Sequence, residues 1–132
     1  MKKKTLLSFT LAIMATMWTT AMQAQEYYDL TIALVQVTSR NCNDLSFITG
    51  VSGTVKYDNA TKTLTLKNAS IKVDKYKNAI SSKIDGLTIK VIGDNYLRSE
   101  NNSAILYENS ITITGGGSLE AECHKKCDIY GN

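Results

Sequence analysis

The sequence predicts an all-β protein built as a parallel β-helix, a solenoid of about three coils. One observation is a triplet of apolar residue, threonine and apolar residue that recurs at spacings of 23 and 24 residues: Leu64-Thr65-Leu66, Leu87-Thr88-Ile89 and Ile111-Thr112-Ile113. The other is a second marker that recurs at spacings of 25 and 24 residues: Asn78-Ala79-Ile80, Ser103-Ala104-Ile105 and Cys127-Asp128-Ile129. A period in the twenties is typical of solenoids, in which each unit buries its apolar face against its neighbours.

The repeat also predicts where turns and buried positions fall. Each triplet is followed by residues that favour turns, at 67–70, 93–95 and 115–118. We expect one inner line of stacked side chains formed by Leu66, Ile89 and Ile113, and another formed by Ile80, Ile105 and Ile129. An antiparallel sandwich is the alternative, but its strands need not repeat in phase.

Residues 1–24 are predicted to be a secretory signal peptide. Met1-Lys2-Lys3-Lys4 is a basic start, an uncharged apolar stretch follows, and small residues surround the expected cleavage site after Ala24. Serines and threonines dilute the apolar stretch, which argues against a membrane anchor. We therefore expect a single domain over residues 25–132, no membrane span after cleavage, and a secreted, periplasmic or cell-surface protein.

Charge argues against a nucleic-acid partner. The net charge of +3 comes from 15 basic and 12 acidic residues, and three of the lysines lie in the predicted signal peptide. Without them the chain has 12 of each and a formal charge of zero. The basic character is thus a targeting feature, and we expect no nucleic acid to bind.

A strand and a hairpin are predicted ahead of the repeat. Residues 30–37 are apolar and β-branched, which predicts one strand. Tyr57 and Leu64 flank the turn-forming residues 58–62, which predicts a hairpin. Proline is absent from the sequence, which suits uninterrupted strands.

Several of these blocks together resemble a known family. The residues that carry the resemblance are Val35-Gln36-Val37-Thr38-Ser39, residues 53–58 leading into 63–69, the triplet at 87–89, and residues 111–117. They are similar to secreted bacterial carbohydrate-binding β-helix proteins, which are pectate-lyase-like in shape. The resemblance implies a right-handed parallel β-helix that binds polysaccharide without catalysis, in some members with calcium.

The last repeat differs from that family, whose members usually continue for several more coils. Here the sequence stops at Ile129-Tyr130-Gly131-Asn132, partway into a coil. Two expectations follow and stay open: the chain is a fragment of a longer protein, or its uncapped C-terminal coil supports self-association.

Cysteine and histidine do not define a metal site. His124 is the one histidine, in Cys123-His124-Lys125-Lys126-Cys127. Zinc would need a fourth ligand, and only the distant Cys42 remains to supply it. Three cysteines cannot all pair within one chain, so the pairing among Cys42, Cys123 and Cys127 is left open.

Aromatic and amide side chains near the predicted turns are the candidate ligand-binding residues. A sugar needs aromatic platforms beside hydrogen-bonding groups, and the candidates are Tyr76, Asp94, Asn95, Tyr96, Asn101, Asn102 and Tyr107. The alternative is structural: the tyrosines cover strand ends, and Asn95 bonds the backbone of its turn. Calcium at Asp94, Glu100 and Glu122 is a further alternative, since it prefers oxygen ligands.

The sequence therefore predicts an exported, non-catalytic binding module whose partner is a polysaccharide, with no catalytic residues and no cofactor. One alternative is a structural or adhesive surface protein that docks another chain through the open end of its solenoid. The other is a polysaccharide lyase or hydrolase, for which Lys90, Asp94 and Arg98 could form a lyase-like trio.

Overall fold

The computed structural model describes residues 24–74, 76–100, 102–123 and 129–131. These residues form strands and turns and no helix, which confirms the all-β prediction. None of them forms a helix that is long and apolar enough to cross a membrane. The predicted signal peptide lies outside the described residues except for Ala24, so it stays a prediction.

Eleven strands occur in the described part of the chain. In chain order they are β1 (Tyr27–Ile32), β2 (Val35–Thr38), β3 (Val51–Asp58), β4 (Thr63–Val73), β5 (Ile80–Ser82), β6 (Leu87–Ile92), β7 (Asp94–Ser99), β8 (Ile105–Tyr107), β9 (Ile111–Thr114), β10 (Ser118–Cys123) and β11 (Ile129–Gly131).

The strands lie in two sheets. The five-stranded sheet has the order β11-β8-β5-β1-β2, parallel among its first three strands and antiparallel at β1 and β2. The six-stranded sheet has the order β10-β7-β4-β6-β9, all parallel, and β3 pairs antiparallel with β4. The inward side chains of both sheets form one apolar core.

The prediction of a right-handed parallel β-helix, a solenoid of about three coils, is therefore wrong. Three separate strands per coil would need a break after each strand. Instead β4 runs for 11 residues through positions 67–70, where a turn was predicted. Its first half pairs with β6 and its second half with β7, so both of those strands enter the same sheet.

Local sequence explains why β4 does not break. Residues 67–70 contain no glycine, whereas Gly93 separates β6 from β7 with a φ of 68°. Asn68 bends the strand by taking a φ of 45° without leaving it. Its side-chain oxygen also accepts a bond of 3.1 Å from the backbone N–H of Asp94, which holds the bend against the neighbouring turn.

One predicted line of stacked residues is confirmed and the other is wrong at its first member. Ile80 pairs with Ile105 and Ile105 with Ile129 on parallel strands, as expected. In the second line Leu64, not Leu66, pairs with Ile89. The predicted register is therefore displaced by two residues. Leu64 and Leu66 both face inward, so hydrophobicity alone does not distinguish the two registers.

The strand predicted over residues 30–37 is also wrong, because the chain reverses in its middle. Ile32 and Val35 pair antiparallel across a two-residue turn. Ala33 and Leu34 both take positive φ values, 50° and 69°, which residues of their type rarely adopt. The predicted hairpin around residues 58–62 is confirmed, since Tyr57 pairs with Leu64.

Glycine is required where β3 approaches the bend of β4. Gly53 has a φ of 78°, and a Cβ added there would lie 2.2 Å from the backbone oxygen of Asn68. Gly86 has the same φ, but nothing lies within 4 Å of an added Cβ. An alanine at Gly86 therefore adds backbone strain alone, whereas an alanine at Gly53 adds the same strain and a clash with backbone.

We expect Gly53→Ala to destabilise the protein by at least about 2 kcal/mol more than Gly86→Ala, because only the former adds a clash with backbone to the strain of a positive φ. Urea unfolding followed by circular dichroism measures both variants. Equal losses at the two positions would show that β3 and β4 do not approach as described.

Candidate functional site

Two of the predicted site residues lie together on the outer surface of the six-stranded sheet. Asp94 and Tyr96 are two positions apart on β7, so their side chains point to the same side of the strand. Arg98 continues that row. Lys72 and Glu122 flank Arg98 on β4 and β10, where the three residues are register partners. We call these five side chains the Tyr96 face.

The ring of Tyr96 is held in place from both neighbouring strands. Its hydroxyl donates a hydrogen bond to Oε2 of Glu122 on β10. The ammonium of Lys72 on β4 lies 5.6 Å from the ring centroid, near the outer limit of a cation–π contact. Tyr96 is half-buried, and these two contacts hold its ring on the outer surface of the sheet.

Three carboxylates on or beside the Tyr96 face, those of Asp94, Glu100 and Glu122, have side-chain partners. Besides the bond from Tyr96 to Glu122, the hydroxyl of Ser118 donates to Oδ1 of Asp94 at 2.8 Å. Arg98 and Glu100 form an ion pair with 3.8 Å between their nearest atoms. These partners fix the positions of the carboxylates, whose remaining lone pairs can accept further hydrogen bonds.

Asn95 has a structural position. It is 3% exposed, and its side-chain oxygen accepts a bond of 2.9 Å from the N–H of Ala69. Its amide nitrogen donates to the backbone oxygens of Ile92, Gly93 and Ser118. Asn95 thus ties β7 to β4 and β10, and it faces away from any surface ligand.

The other predicted site residues do not join the Tyr96 face. Tyr76 is 80% exposed in the connection after β4. The side-chain oxygen of Asn102 accepts a hydrogen bond from the N–H of Ser103, and its amide nitrogen lies 3.4 Å from the side-chain oxygen of Asn78. Tyr107 lies on β8 of the other sheet. Asn101 lies outside the described residues.

The sequence reasoning missed Lys72, and it considered Glu122 as a calcium ligand but not as a partner of Tyr96. In the sequence, Lys72 stands near Lys75 and Lys77 in a short charged run of the kind that is usually an exposed loop, but it lies in β4. The signal that could have found both was their spacing from Arg98. Lys72 precedes Arg98 by 26 residues and Glu122 follows it by 24, which is close to the repeat spacing, and both are register partners of Arg98 on neighbouring parallel strands.

Glu122 raises the pKa of Tyr96 above its ordinary value, chiefly because the hydrogen bond favours the neutral phenol, with smaller effects of desolvation and of the negative charge. The stability from this bond is complete below the unfolded tyrosine pKa of about 10. It is lost as the pH rises through the raised pKa of the folded state.

We expect Glu122→Gln to lower the pKa of Tyr96 toward its ordinary value, because the amide oxygen of glutamine accepts a weaker hydrogen bond than a carboxylate does and carries no negative charge. Glu120→Gln is the control, since Glu120 makes the smallest of the named contributions. An NMR titration of the tyrosine ring carbons measures both. An unchanged Tyr96 pKa in Glu122→Gln would contradict the bond.

A groove of about 840 Å³ lies elsewhere, against the outer surface of β3, β4 and β6. It contains none of the predicted ligand-binding residues. Its lining includes Tyr28, Lys56, Tyr57, Asn59, Thr65 and Lys90. We call it the Lys56–Lys90 groove. Lys90 therefore belongs to this groove and not to a trio with Asp94 and Arg98.

The described residues contain no metal site of the kinds considered above. Within 24–74, 76–100, 102–123 and 129–131, no three histidine, cysteine or acidic side chains are grouped to hold an ion. Asp94, Glu100 and Glu122 thus do not form a calcium site. His124 and Cys127 lie outside the described residues, so the zinc alternative and the cysteine pairing are not settled.

The edge formed by β9 and β11 exposes residues that are buried one strand earlier. Ile113 is 42% and Ile129 is 41% exposed, whereas their register partners Ile89 and Ile105 are fully buried. This is where self-association was expected. That expectation stays a prediction.

Comparison of the chain with protein-family models, with curated proteins and with solved structures gave no match. Nothing in these comparisons identifies a pectate-lyase-like or carbohydrate-binding family.

Proposed function

We propose that the protein is an exported, non-catalytic binding module for polysaccharide, and that the sugar chain lies on the Tyr96 face. The observation that carries the proposal is the fixed ring of Tyr96 on an open sheet surface, between cationic and anionic side chains. Export is supported by the signal-peptide pattern of residues 1–24.

The chemistry of a pyranose matches this surface. One face of the sugar ring presents C–H groups, which pack on an aromatic ring, while hydroxyl groups project around its edge. Asp94 and Glu122 accept hydrogen bonds from such hydroxyls, and Arg98 donates to them. The side chains alternate along β7, so neighbouring binding positions run along the strand.

Binding is favoured over cleavage because the carboxylates of this face serve neighbouring side chains. A glycosidase needs one carboxyl group free to give a proton and another free to attack or to activate water. Glu122 is bonded to Tyr96 and Asp94 to Ser118. A lyase would need a base beside the sugar, and Lys90 lies away from this face, in the groove.

Lys72 limits how the sugar approaches. Its ammonium lies over the Tyr96 ring at 5.6 Å, so a bound sugar either shares the ring with it or moves it aside. The side chain is exposed and flexible, and the contact is long. Displacement of Lys72 therefore requires no movement of the backbone.

The test is a pull-down on a panel of insoluble polysaccharides, followed by titration with soluble oligosaccharides. We expect Tyr96→Ala to weaken binding by at least about tenfold, since one platform is worth a tenfold change or more. Tyr96→Phe retains the ring and should retain most of the binding.

Tyr27→Ala is the matched control, because Tyr27 is 71% exposed on β1 in the other sheet. It should bind like the wild type. Failure of the wild-type protein on a broad panel would contradict the proposal, as would equal losses in Tyr27→Ala and Tyr96→Ala.

A further inference from the structure

The Lys56–Lys90 groove has a cationic floor built by strand register. Lys56 on β3 pairs with Thr65 on β4, and Thr65 pairs with Lys90 on β6. The three outward side chains therefore form one row across the sheet, with the backbones of the two lysines about 10 Å apart. Both lysine side chains are exposed and long enough to converge above Thr65.

The charges of this groove are not balanced internally. Its charged lining residues are Lys56, Lys90 and Asp58, two positive and one negative. Asp58 accepts a bond of 3.0 Å from the N–H of Ala60, so its carboxylate caps the turn between β3 and β4. Neither lysine takes part in an ion pair found among the described residues.

The wall of the groove is rigid and partly aromatic. Tyr28 and Tyr57 pack edge to face, with 5.4 Å between ring centroids. The hydroxyl of Tyr57 donates to Oδ1 of Asn59 at 3.1 Å. The loop after β2 is pinned to β3 because the N–H of Tyr57 donates to the oxygen of Cys42 at 2.7 Å.

We propose that the Lys56–Lys90 groove is a second binding site, which takes the anionic group of an acidic sugar, such as the carboxylate of a uronic acid. A carboxylate placed above Thr65 accepts charge-assisted hydrogen bonds from both lysines and relieves their mutual repulsion. The sugar ring then lies against Tyr28, and its hydroxyls reach Asn59.

The volume of about 840 Å³ fits this assignment, because ligand pockets measure roughly 300–1,000 Å³. The choice of a sugar as the ligand rests on the proposed function. The choice of a negative charge rests on the two lysines alone.

Calorimetric titration with three ligands tests the proposal: a trimeric uronic acid, the same trimer with its carboxylates reduced to alcohols, and a sulfated trimer. We expect the uronic acid to bind and the reduced trimer to bind at least about tenfold more weakly, since each charge-assisted bond contributes about a factor of ten. High salt should weaken the acidic ligand alone. Tighter binding of the sulfated trimer would identify sulfate as the preferred anion, which overturns the choice of a carboxylate.

The double variant Lys56→Gln/Lys90→Gln should lose that binding, while Lys67→Gln/Lys83→Gln, which removes equal charge outside the groove, should keep it. Tyr96→Ala should also keep it. Equal losses in both double variants, or equal binding of acidic and reduced trimers, would overturn the inference. Loss of binding in Tyr96→Ala alone would overturn the inference, because it would place the acidic sugar on the Tyr96 face. If the acidic trimer binds in the groove but the wild-type protein captures no polysaccharide in the pull-down, only the proposed function is refuted.

Discussion

Replacing Ile89 by alanine is expected to destabilise the protein by about 2–5 kcal/mol. Ile89 is fully buried on β6, between Leu64 on β4 and Ile113 on β9. Truncation removes three carbons from a core with rigid strands on both sides, so the cavity cannot collapse easily. Urea unfolding followed by far-ultraviolet circular dichroism measures the free energy of unfolding.

Ile113→Ala is the matched control for this experiment. It makes the same chemical change in the same row, one strand further on, but the side chain is 42% exposed. We expect a loss of about 1 kcal/mol, since much of the side chain is already in water. Equal losses at Ile89 and Ile113 would mean that the row is covered at both positions, against the described burial.

Replacing Asn95 by alanine is expected to cost about 3 kcal/mol or more. The change leaves the N–H of Ala69 and the backbone oxygen of Ser118 without the side-chain partner they have now. The buried N–H of Ala69 costs about 1–3 kcal/mol without a partner, and each of the other lost bonds of Asn95 adds about 1 kcal/mol. The loss should appear in the same unfolding assay.

Asn109→Ala is the control for Asn95. Asn109 is exposed and donates one bond of 2.7 Å to the oxygen of Lys83. We expect a loss below about 1 kcal/mol, because water replaces that bond. If Asn95→Ala were as mild as Asn109→Ala, Asn95 would not be the tie between β4, β7 and β10, and its assignment as a ligand contact would regain support.

The sequence predicted the all-β class and one of the two lines of stacked residues, for a physical reason. Ile80, Ile105 and Ile129 each begin a strand of three residues and each end the same marker of the repeat, so their alignment has one solution. Leu64 and Leu66 are both inward, so two registers satisfy the pattern. The choice between them depends on pairing with β3 and β6, which periodicity does not report.

The number of sheets was not predictable from the repeat. Whether residues 67–70 break the strand depends on Asn68, which takes a positive φ inside β4 and bonds Asp94 from a distant part of the chain. Composition marked those residues as a turn. The tertiary contact kept them in the strand.

Site prediction was limited in the same way. Tyr96 and Asp94 were found by residue type, and the alternation along β7 places them together. Asn95 is also a hydrogen-bonding residue, but its side chain lies on the opposite side of β7. The sequence did not show which residues of this strand face outward. Lys72 and Glu122 come from neighbouring strands, so only the register brings them to Tyr96.

We propose that the sugar chain lies along β7 on the Tyr96 face. Backbone amide NMR of the ¹⁵N-labelled protein, titrated with a soluble oligosaccharide that the panel identifies, tests this position. We predict that the largest shift changes fall on Tyr96, Arg98 and Glu122 and are absent in Tyr96→Ala. Changes confined to β1 and β2, or equal changes in the variant, would contradict the claim.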